Sequence, residues 1–436
     1  MAHTFSITNG TTTVTLTPAN GYVIIKEDLG TSQRAAPNAD PDNPEIESSF
    51  DLVLTGTNGP DMQAKARAVE LLLQQAERRQ RKPEGPRVYF QVQIDQEANT
   101  HRAEITEGRF PPNEALTNWY SNTARFDMLL THRAWESPRA EVPVSSFTEA
   151  TAATGGRVVG QSGSGNFIQI HPNAIGGSLP AWAELEITNT SGAEVDFRNF
   201  YFGLNNWGSG FLPWFEGEES AQGSDVASGT NSGGFYNNYS TTGTGFIQFD
   251  VSSHMDKSEG RKCKAMIRCH GFSGSGLYVR PVVRDVEGLI PLYESEKQEV
   301  LLSAQGSGII DLDSVPLPPG GYNPTANGAV FELKLRATGA FTVNLDYVHF
   351  MPLDSYQHIK QLGYGIVNNG VIIFDNIEQL YKHADKSIFS VREGRLKVFP
   401  SVNYQRLYML ADEGTSSNVA RTFSVKLFVR ERRLTI

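Results

Sequence analysis

The chain has 436 residues, of which 39% are hydrophobic and 20% charged, so it is long enough for two or three folded domains and is not disordered by composition. Its net charge of −10 argues against a protein that grips nucleic acid over a wide face. The first residues lack the pattern of a secretory signal, and no apolar run reaches the roughly 18 residues of a membrane-spanning helix, so we expect synthesis in a cytoplasm.

The first region, residues 1–145, combines strand patterns with one amphipathic helix. The segment Asn58–Asp61 is a turn and cap signal, after which apolar residues recur every three or four positions. This spacing predicts a helix at 61–82, which Pro83 ends. The predicted strands in this region alternate in hydrophobicity; they include Ile46–Leu54, Val88–Ile94 and Ala124–Leu130.

The second region, residues 146–352, reads as a β-sandwich. A Ser-, Thr- and Gly-rich stretch at 141–166 is typical of a linker, and eight to ten short apolar strand patterns follow it. That number suits a jelly roll. The segment 216–245 is rich in Gly, Ser, Asn and Thr, which predicts a long functional or mobile loop.

The two cysteines, Cys263 and Cys269, lie in one alternating strand pattern. Their spacing puts both thiols on the same face but ~20 Å apart, because a strand rises about 3.3 Å per residue. A disulfide needs Cα atoms within roughly 7 Å, so we expect both cysteines to be free and buried.

The last region, residues 353–436, contains short apolar segments, a possible helix at Ile377–His383 and an alternating terminal strand at Phe423–Val429. It is too small to bury its own apolar face. It either returns to complete the first domain or forms a third domain. We favour the return, which makes 146–352 an insertion.

No motif for catalysis, metal or cofactor binding is present in the sequence. The nine histidines include no pair two to five residues apart, and prolines interrupt the Asp-rich loop 34–44. Phosphate-binding and nucleophile-elbow patterns are absent as well. We therefore expect a protein that is not an enzyme and needs no cofactor or metal.

A sugar-binding surface is the one ligand site that the residue types suggest. Trp207, Trp214 and Tyr236 could stack on sugar rings, and the nearby acids of segment 216–225 leave glycoside hydrolysis open as a further alternative. The competing interpretation is two packed tryptophans beside a solvated acidic loop.

The order of these elements resembles the distal tail proteins of long-tailed bacteriophages. The likeness lies in the helix, in segments 83–92, 120–130 and 133–136 that follow it, and in 177–189 and 346–352, which look like the first and last strands of a carbohydrate-module-like jelly roll. The ending, 399–410 and 425–430, is similar to the C-terminal ends of such proteins. Simple distal tail proteins end after the second domain, whereas this chain continues through 353–436.

The resemblance implies a structural virion protein at the tail tip. Such proteins form a cyclic homo-oligomer, commonly a hexamer, that joins the tail tube protein to the tip or hub proteins of the baseplate, with DNA only as passing cargo. The jelly roll would carry or support host-attachment parts and could contact a host surface glycan. The alternatives are a glycan-binding accessory protein and a glycoside or peptidoglycan hydrolase.

Overall fold

The computed structural model describes residues 3–29, 44–82, 84–94, 99–112, 122–161, 165–196, 199–206, 214–229, 231–252, 261–285, 291–294, 300–302, 308–317, 328–360, 365–377, 380–383, 386–387, 391–413 and 421–435. The described chain is mainly β, as the composition predicts, with one α-helix, α1, at Gly59–Arg81. Among these residues no helix is long and apolar enough to cross a membrane.

The strands are numbered in chain order. The first seventeen are β1 Thr4–Thr8, β2 Thr13–Leu16, β3 Tyr22–Asp28, β4 Ile46–Thr55, β5 Tyr89–Gln93, β6 Thr100–Arg109, β7 Thr123–His132, β8 Trp135–Glu136, β9 Ala140–Val142, β10 Val144–Ser146, β11 Arg157–Gly160, β12 Phe167–Ile170, β13 Ala181–Asn189, β14 Val195–Asp196, β15 Asn199–Asn205, β16 Trp214–Glu216 and β17 Ser224–Ala227. The others are β18 Phe235–Asp250, β19 Lys262–Ser273, β20 Tyr278–Asp285, β21 Pro291–Glu294, β22 Val300–Leu301, β23 Gly308–Pro316, β24 Ala329–Pro352, β25 Tyr356–Lys360, β26 Gly365–Ile366, β27 Val371–Asp375, β28 Leu380–His383, β29 Lys386–Ser387, β30 Val391–Gly394, β31 Lys397–Val398, β32 Gln405–Asp412, β33 Thr422–Val429 and β34 Arg432–Arg433.

The chain folds into two compact units. Unit 1 comprises 1–140, 176–181 and 430–436, and unit 2 comprises 141–175 and 182–429.

Unit 1 is a nine-stranded sheet that curls around one apolar core. Its main path is β2-β1-β5-β6-β7-β4-β3. Strand β6 pairs with β5 through its first half and with β7 through its second half, with a bulge between Ile105 and Glu107. A bulge bends a strand and raises its twist, which lets β6 turn from one half of the sheet to the other. In the core, Phe5 stacks on Phe90 with centroids 5.8 Å apart, and Phe50 meets both edge-on.

The predicted helix is confirmed, and the sequence sets its first turn. The Asn58 side chain accepts a hydrogen bond from the Asp61 N–H at 2.9 Å, so it caps the first turn as predicted. One face of the helix is buried, and it consists of the residues whose spacing indicated the helix: Met62, Ala66, Val69, Leu72, Leu73 and Ala76.

The last residues of the chain close unit 1. Strand β34 pairs with β8, and the Ser178 and Leu179 N–H groups both donate to the Arg432 carbonyl. Gly177 carries a φ of +90° beside that carbonyl, a backbone conformation that favours glycine. Residues 430–436 therefore return to the first region, as the sequence analysis expected of the whole of 353–436.

Residues 356–429 do not join the first region, so the prediction is wrong for most of 353–436. Strands β25, β27, β32 and β33 pair with β15, β13 and β12, so 356–429 and 144–205 together form two facing sheets. One sheet has the order β10-β12-β32-β15-β25-β30, and the other follows β11-β33-β13-β27-β28-β29. Phe200 packs on Phe374 and Phe423 of the facing sheet. The sequence could not choose between the two host regions, because alternation shows which face of a strand is apolar but not which strand it pairs with.

Within unit 2, residues 214–352 form a separate nine-stranded sheet, the long-strand sheet. Its path is β17-β18-β24-β19-β23, with β16 and β20 also on β24. Strands β18 and β24 run through 235–250 and 329–352, and the sheet folds over a core that includes Phe249, Phe331 and Phe350. The long-strand sheet is therefore inserted between the strands of the two facing sheets. This inserted segment, 214–352, is shorter than the predicted 146–352.

Three local expectations are wrong. The segment 216–245 forms β17 and much of β18 instead of a long loop, because its polar residues alternate on the outer face of a sheet. Residues 380–383 form strand β28 and not a helix, since β27 provides a strand edge. The linker stretch 141–166 contributes β10 and β11. The loop 34–43 lies outside the described residues.

Strand β19 confirms the prediction for the cysteines. Cys263 and Cys269 are free, fully buried and part of the same core. Burial raises the pKa of the Cys269 thiol to about 12, so both cysteines act as small apolar side chains.

Candidate functional site

The edge strand β3 is a candidate pairing surface of unit 1. It lies at one end of the sheet, and in the described part of the chain β4 is its ladder partner. Ile25 occupies a bulge between Ile24 and Lys26 and is 56% exposed. An edge strand offers unpaired backbone donors and acceptors, and an apolar side chain on it adds area for a partner. Strand β3 can therefore receive a strand or a loop of another chain.

A groove lies on the outer face of the sheet beside β3. Its volume is about 430 Å³, and its lining includes Asp28, Glu47, Glu107, Arg109 and the half-exposed Leu129. The lining holds three carboxylates and one guanidinium, and Arg109 pairs with Glu107 at 3.2 Å. An acidic groove with an apolar wall suits a basic segment that carries apolar side chains.

The aromatic residues suggested for sugar binding do not form one exposed platform in the described chain. Trp207 lies outside the described residues. Trp214 is 8% exposed, with its ring 4.0 Å from that of Tyr347 and 5.2 Å from that of His349. Tyr236 is half-buried and stacks on His270 with centroids 5.0 Å apart. Among the described residues of this set, Tyr236 is therefore the one with a side chain that a ligand could contact.

A buried polar cluster in unit 2 contains one of the acids that the sequence analysis singled out. Ser232 Oγ donates to Glu216 Oε1 at 2.8 Å, and the Ser232 N–H donates to Asp346 Oδ1 at 2.8 Å. Asp346 also forms an ion pair with Arg268, and these two side chains are 0% and 3% exposed. Ser232 thus joins two carboxylates through its backbone and its hydroxyl.

A β-bulge creates this cluster. Arg268 pairs with Tyr347 and Cys269 pairs with Leu345, so Asp346 is the extra residue on β24. A bulge redirects side chains, which brings Asp346 to the same side as Arg268. Sequence reasoning missed this pair, although a charged residue inside the apolar pattern of β19 was a visible signal.

The electrostatics of the cluster favour a structural role. Burial, reinforced by the charges of Glu218 and Asp346, raises the pKa of Glu216 to about 7. Burial likewise raises the pKa of Asp346 to about 6, against the opposing effect of Arg268. A glycosidase needs two carboxyl groups that a substrate can reach. Asp346 has no exposed surface, and Arg268 and Ser232 already occupy its oxygens.

Comparisons with known proteins give structural neighbours only. No protein-family model matches the chain, and no curated protein matches it. The chain is similar to a chain of the phage P2 baseplate in its activated conformation with Ca, at 10% identity and a TM-score of 0.25, over 47% of this chain and 72% of that one. It is also similar to a chain of the phage p2 baseplate in its activated conformation with Sr, at 8% identity and a TM-score of 0.28, over 100% of both chains.

Proposed function

We propose that this protein is a structural, non-catalytic component of a bacteriophage tail tip, in which unit 1 forms a ring at the distal end of the tail. The observation that carries the proposal is the edge strand β3 with its exposed, bulged Ile25. The resemblance of the first region to distal tail proteins supports it, since that likeness rests on paired strands and a helix of this length in this order.

The ring would be built by one contact repeated around an axis. Strand β3 and the acidic groove lie on one part of unit 1, so a neighbouring copy would present a different surface to them. Contacts between unlike surfaces close into rings when the rotation closes, and the resemblance implies six copies. The tail tube protein would dock on one side of the ring and the tip or hub proteins on the other. DNA would pass through the hole without being held, in keeping with the net charge of −10.

The substitution Ile25→Lys tests this arrangement. It places a charge on the edge strand while leaving the core of unit 1 untouched, since Ile25 is 56% exposed. Val367→Lys is the matched control, because Val367 is 55% exposed and lies in unit 2.

Native mass spectrometry and negative-stain electron microscopy provide the readouts. We expect rings with a central hole for the wild type and for Val367→Lys, and monomers for Ile25→Lys with unchanged circular dichroism. A wild-type chain that stays monomeric at high concentration, or rings that survive Ile25→Lys, would contradict the proposal.

A second candidate, glycan binding, rests on the Tyr236–His270 pair. Asn238 lies two residues along β18 and donates from Nδ2 to Asn344 Oδ1 at 2.8 Å, so amide groups lie near an aromatic ring. Sugar sites combine these groups. The test is binding of host-surface oligosaccharides to wild type and to Tyr236→Ala. Tyr404→Ala is the control, because Tyr404 also packs on a histidine, His171, at 5.0 Å. Equal binding by all three proteins would exclude this site.

A further inference from the structure

Three strands that are distant in sequence bring His358, Glu393 and Asp311 together in unit 2. His358 on β25 lies directly opposite Glu393 on β30, and Asp311 comes from β23 of the long-strand sheet. One nitrogen or oxygen atom from each residue lies within 4.8 Å of the other two. The group therefore lies where the sheet that contains β25 and β30 meets the long-strand sheet.

The imidazole of His358 is held in one orientation. Its Nε2 lies 3.2 Å from Asn199 Oδ1, and Asn199 Nδ2 donates to Asp412 Oδ2 at 3.1 Å. Because the amide nitrogen of Asn199 is committed to Asp412, its oxygen faces the ring and accepts the Nε2 proton. Tyr201 stacks on the ring with centroids 4.1 Å apart. Nδ1 is therefore the nitrogen that carries the free lone pair.

That lone pair faces negative charge. His358 is 3% exposed, its Nδ1 has no hydrogen-bond partner among the described residues, and Glu393 Oε2 lies 4.0 Å away. Asp311 Oδ1 is likewise buried without a partner in the described chain. A lone pair and two carboxylates that converge on one point attract a cation.

The geometry points to a binding site for a divalent transition-metal ion, Zn²⁺ foremost, with His358 Nδ1, Asp311 and Glu393 as its ligands. One imidazole and two carboxylates are a ligand set that zinc accepts, and a water molecule would complete the coordination. Calcium and magnesium prefer oxygen ligands alone, so the nitrogen selects against them. The Asn199–His358 hydrogen bond is the outer contact that ligating histidines ordinarily make. Glu393 is 49% exposed on its side chain, which gives the ion access from solvent.

Lys264 acts as a competitor for the same position. Its Nζ lies 3.1 Å from Asp311 Oδ2 and 3.7 Å from Glu393 Oε1. The ammonium group partly neutralises the two carboxylates, and an entering metal ion must displace it. Lys264→Gln should therefore bind Zn²⁺ at least about tenfold more tightly than the wild type, because a unit positive charge within a few ångströms is removed.

The test uses the full chain after chelator treatment, titrated with ZnCl₂ by calorimetry, with elemental analysis to count bound zinc. We expect one zinc per chain in the wild type, a loss of about tenfold or more in affinity in Glu393→Gln and His358→Gln, and tighter binding in Lys264→Gln. Glu294→Gln is the matched control. Glu294, like Glu393, pairs with two cations, Arg280 and Lys334, and no described histidine pairs with it. Its affinity should equal that of the wild type.

Glu393→Gln keeps the test decisive if His358→Gln fails to fold, since Glu393 is partly exposed. No saturable zinc binding by the wild type, or equal affinity in Glu393→Gln and the wild type, would overturn the proposal. Tighter binding of Ca²⁺ than of Zn²⁺ would also overturn it, because it would show that the nitrogen is not a ligand. Co²⁺ substitution should produce visible absorption bands that Glu393→Gln loses.

Discussion

Arg268 and Asp346 form an ion pair inside unit 2, with side chains that are 3% and 0% exposed. Two charges withdrawn from water in this way depend on each other. Their mutual attraction offsets the loss of hydration only while both partners are present. The bulge in β24 makes the pair possible, so a local irregularity of one strand determines the electrostatics of the interior.

Removing one partner of this ion pair should destabilise the protein more than replacing both partners with apolar residues. We expect Asp346→Ala to lower the free energy of unfolding by about 3–5 kcal/mol, because it removes the carboxylate that neutralises a buried guanidinium. The double variant Arg268→Met/Asp346→Leu should recover part of that loss. Urea unfolding measures both values. The partly exposed pair Lys426–Glu186 is the control, and Glu186→Gln should cost less than about 1 kcal/mol. A double variant as unstable as Asp346→Ala would contradict this account.

Glu216 should make stability depend on pH. Burial raises its pKa from 4.5 to about 7, so the folded state retains this proton at a higher pH than the unfolded chain does. Its contribution to the free energy of unfolding is therefore largest below pH 4.5 and is lost as pH rises through about 7. Glu216→Gln, which mimics the protonated acid, should be more stable than wild type at pH 8 by about 1–2 kcal/mol.

The difference between Glu216→Gln and wild type should vanish near pH 4. Asp225→Asn is the control, since Asp225 is exposed on β17, and it should leave the pH profile unchanged. A destabilised Glu216→Gln at pH 8 would refute the argument.

Gly177 should be required for docking of the chain end in unit 1. A Cβ atom there would lie 2.4 Å from the Arg432 carbonyl oxygen, and φ is already +90°. We expect Gly177→Ala to destabilise unit 1 by more than about 2 kcal/mol and to expose the 430–436 segment to carboxypeptidase. Gly10→Ala separates backbone strain from the steric clash. Gly10 has the same kind of backbone conformation, with φ +85°, but nothing lies within 4 Å of its Cβ position. Its cost should be about 1 kcal/mol, and equal effects of the two substitutions would contradict the steric explanation.

The thiols should be inert in the folded protein. Cys263 and Cys269 are fully buried, and burial raises the pKa of both, so neither supplies a thiolate at neutral pH. A thiol reagent should modify neither cysteine in buffer and both in urea, and the intact mass should not change on reduction. Modification in buffer would contradict the burial of the cysteines. A mass increase of two daltons on reduction would show that they form a disulfide.

The sequence determined the elements whose signals are local. The helix at Gly59–Arg81 follows from a cap at Asn58 and a spacing of three and four, because both interactions lie within one or two turns. Strand β33 follows from alternation, because a strand with one buried face must place every second side chain inward. The mainly β class and the free cysteines rest on the same local geometry.

Only the tertiary structure decided which strands pair. The alternating pattern of β33 fits either host region equally well, and its assignment to β13 depends on packing against Phe200 and its neighbours. The polar segment 216–245 became strand because β24 offered it a long edge, and tertiary context overrides weak local preference. The group formed by Asp311, His358 and Glu393 could not be found by motif spacing either. Its members are separated by tens of residues, and a ligand set needs proximity in space, which only the folded sheets provide.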